Sequence, residues 1–318
     1  MAGPFAVFEL LNIKNTINVS SGIFYPPYLQ FFDIDIEQAF KILDEKQQRK
    51  EFASDVDYLT NYAKIPFTTL LEEGIITKIP DLINLFNKIK YHFVNQNEFG
   101  IFNDFPKSDK IVYIGGILVE EKGILNTQIN RINDKCVVFL SFDFNTYKKY
   151  ENYHRSYFKH MLEAFAEYKN KCSFKIQVDG NYLPGYMEIF PKVDKFFDTN
   201  DDQQEILSDP NIKVFVSKCD LNSLNNALYA GVPLLCIPFN EDEYYNSSIV
   251  EQLGIGIYAH KCSYDKVQNV FKENFKNALD GLIKNTNYLK TVQEKKEEIS
   301  TEINKEDKFL EKITELIG

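Results

Sequence analysis

Apolar positions along this chain alternate between short continuous runs and longer stretches with helical spacing, most regularly after Lys135. Cys136-Val137-Val138-Phe139-Leu140-Ser141 predicts a strand, Tyr147 to Tyr168 a helix whose core face is Tyr157, Phe158, Met161, Leu162 and Phe165, and Cys172 to Val178 another strand. Asp179-Gly180-Asn181 reads as a tight turn, and Gln203 to Leu207 as a short helix ended by Asp209-Pro210. Val214 to Ser217 is β-branched and aromatic, the composition of a strand buried on both faces of a parallel sheet. Leu221, Leu224, Ala227 and Leu228 then fall on one helical face, Gly231 stops that helix, and Pro233 prevents its resumption before a strand at Leu234 to Ile237. Strands separated by helices predict an α/β fold with a doubly wound parallel sheet. The Val214 to Ile237 unit is either an ordinary βαβ element or one whose first turn, at a helix N-terminus, attracts phosphate.

Before about residue 105 the alternation is weaker, and Ile111-Val112-Tyr113-Ile114-Gly115-Gly116 reads as a strand followed by a glycine turn. Gly254 to Ile257 predicts a last short strand. Beyond it the chain turns helical and charged, and Lys295-Lys296-Glu297-Glu298 and Lys305-Glu306-Asp307-Lys308 read as solvated helix faces.

With 318 residues, 44% of them hydrophobic and 26% charged, the chain has the composition of one large or two ordinary globular domains. A net charge of −10 argues against a nucleic-acid surface, which requires clustered Lys and Arg. Cys136, Cys172, Cys219, Cys236 and Cys262 are scattered and odd in number, so they indicate neither a metal site nor a dense disulfide framework and read as small core residues. His92, His154, His160 and His260 lack metal-ligand spacing. No apolar stretch is long enough to span a membrane, and the first residues lack the pattern of a secretory signal. N-x-S sequons occur at Asn18 and Asn246.

The segment from Val214 to Asn246 resembles the donor-sugar signature of UDP-glycosyltransferases, F-I-T-H-G-G-x-N-S-x-x-E-A-x-x-x-G-V-P-x-x-x-x-P-x-x-x-D-Q-x-x-N. Asn222-Ser223, Ala227, Gly231-Val232-Pro233, Pro238, Asp242 and Asn246 fall in register without a gap. The resemblance implies two Rossmann-like domains of the GT-B type, the first binding an acceptor and the second a UDP-sugar. It divides the chain into a partial acceptor-binding domain at 1–110, a UDP-sugar-binding-like domain at 111–265, and charged C-terminal helices at 266–318. Glu9 to Ile13 and Ser20-Ser21-Gly22 resemble the second half of the family's first domain, so the chain is expected to begin in mid-domain, without the family's catalytic His and Asp. The implied reaction is hexosyl or glucuronosyl transfer from a UDP-sugar to a small lipophilic acceptor, with no metal ion or other cofactor. The family is usually found at the endoplasmic-reticulum membrane.

Carried over by position, the family's strand-end S-F-G-S corresponds to Ser141-Phe142-Asp143-Phe144, with Asp143 at a phosphate-approaching glycine. The uracil-stacking Trp falls at Asn200, and the nearby Gln is kept as Gln203. Ser217 precedes the diphosphate-binding His, which falls at Lys218; the two following glycines fall at Cys219 and Asp220. The ribose-binding Glu falls at Asn226, and the sugar-binding Asp-Gln pair is matched by Asp242-Glu243. These replacements leave two readings open. One is donor-dependent transfer, impaired in this chain; the other is a catalytically inactive relative kept as a ligand-binding or partner-binding module.

Overall fold

The computed structural model describes residues 2–24, 28–29, 32, 67–79, 81–126, 136–142, 151–178, 193–259 and 267–318, which form two compact units. The first comprises 1–96, 103–115 and 305–318; the second comprises 97–102 and 116–304.

In the first unit, helix α1 (Ala2–Leu10) precedes β1 (Ile17–Ser20), and α2 (Leu82–Lys88) leads into β2 (Tyr91–Val94) and β3 (Ile111–Tyr113). The three strands form a parallel sheet in the order β1-β2-β3. Phe93, Val112 and Ile114 form a small core, against which Phe309 and Ile313 of the last helix pack. That helix, Lys305–Ile317, uses its apolar stripe here, while its Glu315 accepts a 2.6 Å hydrogen bond from Tyr91.

Two of the sequence-based boundaries move as a result. Ile111–Tyr113 hydrogen-bonds to β2, so it belongs to the first unit and the chain leaves that unit at Gly115–Gly116 rather than at 110. The charged C-terminal stretch is also divided, because 305–318 joins the first unit while the helices before it cover the second.

The second unit begins with α3 (Ile117–Lys122) and contains β4 (Cys136–Phe142), α4 (Glu151–Tyr168), β5 (Cys172–Val178), β6 (Val193–Phe197), α5 (Gln203–Leu207), β7 (Ile212–Ser217), α6 (Leu221–Ala230), β8 (Leu234–Cys236), α7 (Glu241–Gln252), β9 (Gly256–Tyr258), α8 (Val267–Lys284) and α9 (Thr286–Thr301). All neighbouring strands are parallel, in the order β6-β5-β4-β7-β8-β9. The sheet is covered on both faces, which is why β4 and β8 read as near-continuous apolar runs. Val138, Leu140 and Phe142 of β4 pack with Phe158, Phe165, Phe271 and Phe275 on one side. Val137 and Phe139 pack with Phe215, Leu224, Val292 and Ile299 on the other. The strand β6, with Lys195 and Asp194 interrupting its apolar residues, escapes the sequence pattern because it is the edge of the sheet.

Four cysteines depart from the sequence expectation in being bonded. Cys136 and Cys172 are register partners at the starts of β4 and β5 and are joined by a disulfide. Cys219, in the turn just after β7, and Cys236, the last residue of β8, are joined likewise. All four are buried, as core residues should be, but their pairing follows strand adjacency, which spacing does not reveal. Cys262 and the turn at Asp179-Gly180-Asn181 lie outside the described residues.

Gly231 ends α6 in the left-handed region, at φ 67°, and its N–H closes the helix onto the carbonyls of Ala227 and Leu228. A Cβ there would add left-handed strain and meet Lys296 Cδ at 3.1 Å. Gly231→Ala is therefore expected to cost about 1 kcal/mol, read as a lower urea midpoint with an unchanged slope.

Candidate functional site

In an open parallel sheet, ligands bind beyond the carboxyl ends of the strands where the order reverses. Here that point lies between β4 and β7, because the chain winds outward through β5 and β6 on one side and through β8 and β9 on the other. Leu140 pairs with Val216, so Ser141 and Ser217 end adjacent strands side by side.

The turn after β7 is held in an unusual conformation. Cys219 has φ 65°, a left-handed value rare for a residue with a Cβ. Its N–H donates to Ser217 Oγ at 3.0 Å, its carbonyl accepts from Asn246 Nδ2 at 3.0 Å, and its sulfur is bonded to Cys236. The surrounding structure thus enforces at Cys219 a backbone geometry for which glycine is the usual residue. Asn246 is fully buried and acts on this turn from α7.

Asp220 caps the helix that follows. Its carboxylate accepts from the Ser223 N–H at 3.0 Å and from the Ser223 hydroxyl at 2.9 Å. An internal anion therefore occupies the N-terminus of α6, where the macrodipole would otherwise favour an external one. Lys218 is half-buried beside Asp220, and Asn222 is exposed in the first turn of α6.

Glu243 is similarly engaged. It is buried, and its Oε2 accepts from the Phe239 and Asn240 N–H groups while Asn240 caps Glu243 in return. This capping box absorbs the side chain. Burial pushes its carboxyl above the usual carboxylate range and the Asp220 charge adds to the shift, while the two N–H groups and Lys218 oppose it. Asp242, its neighbour, is exposed on the first turn of α7.

On the β4 side the predicted residues form a connected set. Asn226 Nδ2 donates to Gln203 Oε1 at 2.7 Å, and Gln203 Nε2 donates to Ser141 Oγ at 3.1 Å. Ser141 in turn donates to Gln177 Oε1 at 2.9 Å. Gln177, the register partner of Ser141 on β5, is a buried participant that sequence reasoning missed. In the sequence Gln177 only continues the polar alternation Ser173, Lys175, Gln177 of this strand, and its burial, which the other two do not share, had no local signal. Asn200 stands apart from this set, exposed in a turn where its N–H and Nδ2 both donate to Asp198 Oδ1. Asp143 and His260 lie outside the described residues. Among the described residues no cluster of His, Cys, Asp and Glu is arranged to hold a metal ion, and no helix is long and apolar enough to cross a membrane.

Residues 201–297, which carry this turn, α6 and α7, match the sequence model of the family described as UDP-glucoronosyl and UDP-glucosyl transferase. A UDP-glycosyltransferase CGT of Oryza sativa subsp. indica is 38% identical over 64 residues, 20% of this chain and 14% of that protein. UDP-glucosyltransferase 2 of Dactylopius coccus is 24% identical over 213 residues, 66% of this chain and 38% of that protein. The chain thus spans well under half of these curated relatives. The fold is shared with the glycotransferase of kitacinnamycin, at a TM-score of 0.62 and 16% identity over 98% of this chain and 72% of that one. It is also shared with the calicheamicin glycosyltransferase CalG4, at a TM-score of 0.59 and 14% identity, covering 93% and 66%.

Proposed function

Because residues 201–297 match the model of UDP-glycosyltransferases, we propose that the second unit is a donor-type domain that takes a uridine diphosphate sugar beyond the carboxyl ends of β4 and β7. The observation that carries this reading is the left-handed turn at Cys219, retained without glycine, leading into α6 at the point of strand-order reversal. A solved relative in fold, LpCGTa, is described in complex with UDP. The corresponding reaction is displacement at the anomeric carbon by a hydroxyl of a small lipophilic acceptor, with UDP as leaving group. The sugar would be hexosyl or glucuronosyl.

The residues at the diphosphate position favour weak binding. Asp220 holds the α6 N-terminus with a fixed carboxylate, and Glu243 is committed to its own helix. These two contacts also support a second reading, in which the same fold serves as a catalytically inactive module that binds a ligand or a partner. Calorimetric titration with UDP and UDP-glucose separates them: measurable affinity for both supports the donor site, and none in a folded protein supports the inactive module.

Purified chain 1–318 is expected to show no appreciable transfer from UDP-glucose or UDP-glucuronic acid to phenolic acceptors. Asp220 places a carboxylate at the α6 N-terminus and Glu243 is committed to its own helix, so the donor's diphosphate is disfavoured. Turnover on the order of 1 s⁻¹ or above, typical of enzymes, would overturn this expectation.

A further inference from the structure

The hydrogen-bonded set around Ser141 has a single polarity, and one end fixes it. The Asp198 and Asp201 backbone carbonyls can only accept, and Gln177 Nε2 donates to them at 3.1 and 2.7 Å. Both amide hydrogens of Gln177 are therefore spent, and its Oε1 must face Ser141, whose hydroxyl must donate to it at 2.9 Å. Ser141 Oγ is left as the acceptor for Gln203 Nε2 at 3.1 Å, and this turns Gln203 Oε1 toward Asn226 Nδ2 at 2.7 Å. Each step removes the amide-flip ambiguity of the next. Asn226 ends the relay with its carbonyl Oδ1 outside it, since its side-chain hydrogen bond among the described residues is the one that Nδ2 donates to Gln203.

We propose that Gln177 is a positioning residue that orients Asn226 as a hydrogen-bond acceptor toward a hydroxyl of the bound nucleotide. The proposal rests on the donor-site reading and deepens it. An amide at this position could present either a donor or an acceptor to its ligand. Anchoring the relay on two backbone carbonyls commits Asn226 Nδ2 to Gln203 and leaves Oδ1 outside the relay, so Asn226 has an acceptor to offer a hydroxyl, the kind of partner that a carboxylate would supply. Gln177 is buried on a strand interior to the sheet, so its geometry is set by the β4–β5 register and not by a loop.

The test compares UDP with 2′,3′-dideoxy-UDP by calorimetry, since the second ligand lacks the hydroxyls that Asn226 would accept from. The unmodified chain is expected to prefer UDP by about tenfold, the worth of one well-made hydrogen bond. Gln177→Met should erase that preference while leaving affinity for the dideoxy ligand unchanged. Ser141→Ala keeps the anchor on Asp198 and Asp201 but breaks the relay, and should erase the preference too, which covers the case in which Gln177→Met does not fold. A general loss of stability would weaken both ligands alike and would not move their ratio. Retention of the preference in the folded variants overturns the proposal. A ligand-free measurement separates its failure from that of the donor site. Gln177→Met should shift the side-chain amide NMR resonances of Gln203 and Asn226. Unshifted resonances overturn the relay whatever UDP does. Shifted resonances in a chain that binds neither nucleotide overturn the donor-site reading, and the ligand role of Asn226 with it.

Discussion

Replacing Asp220 by glycine is expected to raise affinity for UDP by one to two orders of magnitude, about 1.4–2.7 kcal/mol. The carboxylate is bonded to the Ser223 N–H and hydroxyl at the N-terminus of α6, where a diphosphate would have to sit. Two unit charges about 4 Å apart at an effective dielectric near 20 repel by about 4 kcal/mol. Asp220 is half-exposed, so solvent screening reduces that figure, and the expected gain is placed below it. Removal also frees the Ser223 donors for the ligand. The cost to the fold is small, because glycine at an N-cap loses only a few tenths of a kcal/mol relative to aspartate. Calorimetry on the folded variant reads the outcome directly. Affinity that stays the same or falls would mean that Asp220 is not what holds the diphosphate away, and would turn attention to the inactive-module reading.

A drop in pH is expected to destabilise the first unit through His92 by about 3 kcal/mol. His92 is fully buried, stacked on Phe86 with ring centroids 4.5 Å apart and met edge-on by Phe24 and Phe32. Asn18 Nδ2 lies 3.4 Å from Nδ1 and can only donate, so the ring proton sits on Nε2, which has no partner among the described residues. Burial, helped by the nearby Lys110 charge, lowers the imidazole from its ordinary value of 6.5 to about 4. Between those values the unfolded chain binds a proton that the folded one refuses. The stability contributed is therefore fully present above about 6.5 and is lost as the pH falls toward 4. The gap corresponds to about 3 kcal/mol. Urea unfolding followed by circular dichroism at pH 7 and pH 4.5 should show this loss in the unmodified chain. In His92→Phe, which keeps the aromatic packing without a titrating ring, the loss should be clearly smaller. Equal losses in the two proteins would remove His92 as the cause.

Much of the second unit was legible in one dimension. The strands at Cys136, Cys172, Val214 and Leu234, the helices at Gln203 and Leu221, and the stop at Gly231 all follow from which residues avoid water and which backbone conformations glycine and proline allow. Those are properties of a residue and its near neighbours, and they survive being read off a line. The candidate positions came instead from the family resemblance: Ser217, Asp220, Asn226, Glu243 and Asn246 from the segment registered on Gly231-Val232-Pro233, and Ser141 and Gln203 from the family's S-F-G-S and its nearby Gln.

What those residues do was decided by which strands and helices lie side by side. Asp220 and Glu243 turned out to cap helices; Asn246 holds the carbonyl of Cys219. The part played by Gln177 depends on β5 lying next to β4 in a register that sets it opposite Ser141, and the disulfides of Cys136 and Cys219 likewise depend on which strands are neighbours. The helix at Lys305–Ile317 belongs to the first sheet although it follows the second in the chain. Hydrophobic period reports only that one face of an element is buried. The partner across that face, and the atom a buried amide must satisfy, are fixed by the order and register of the sheet, which are long-range properties of the folded chain.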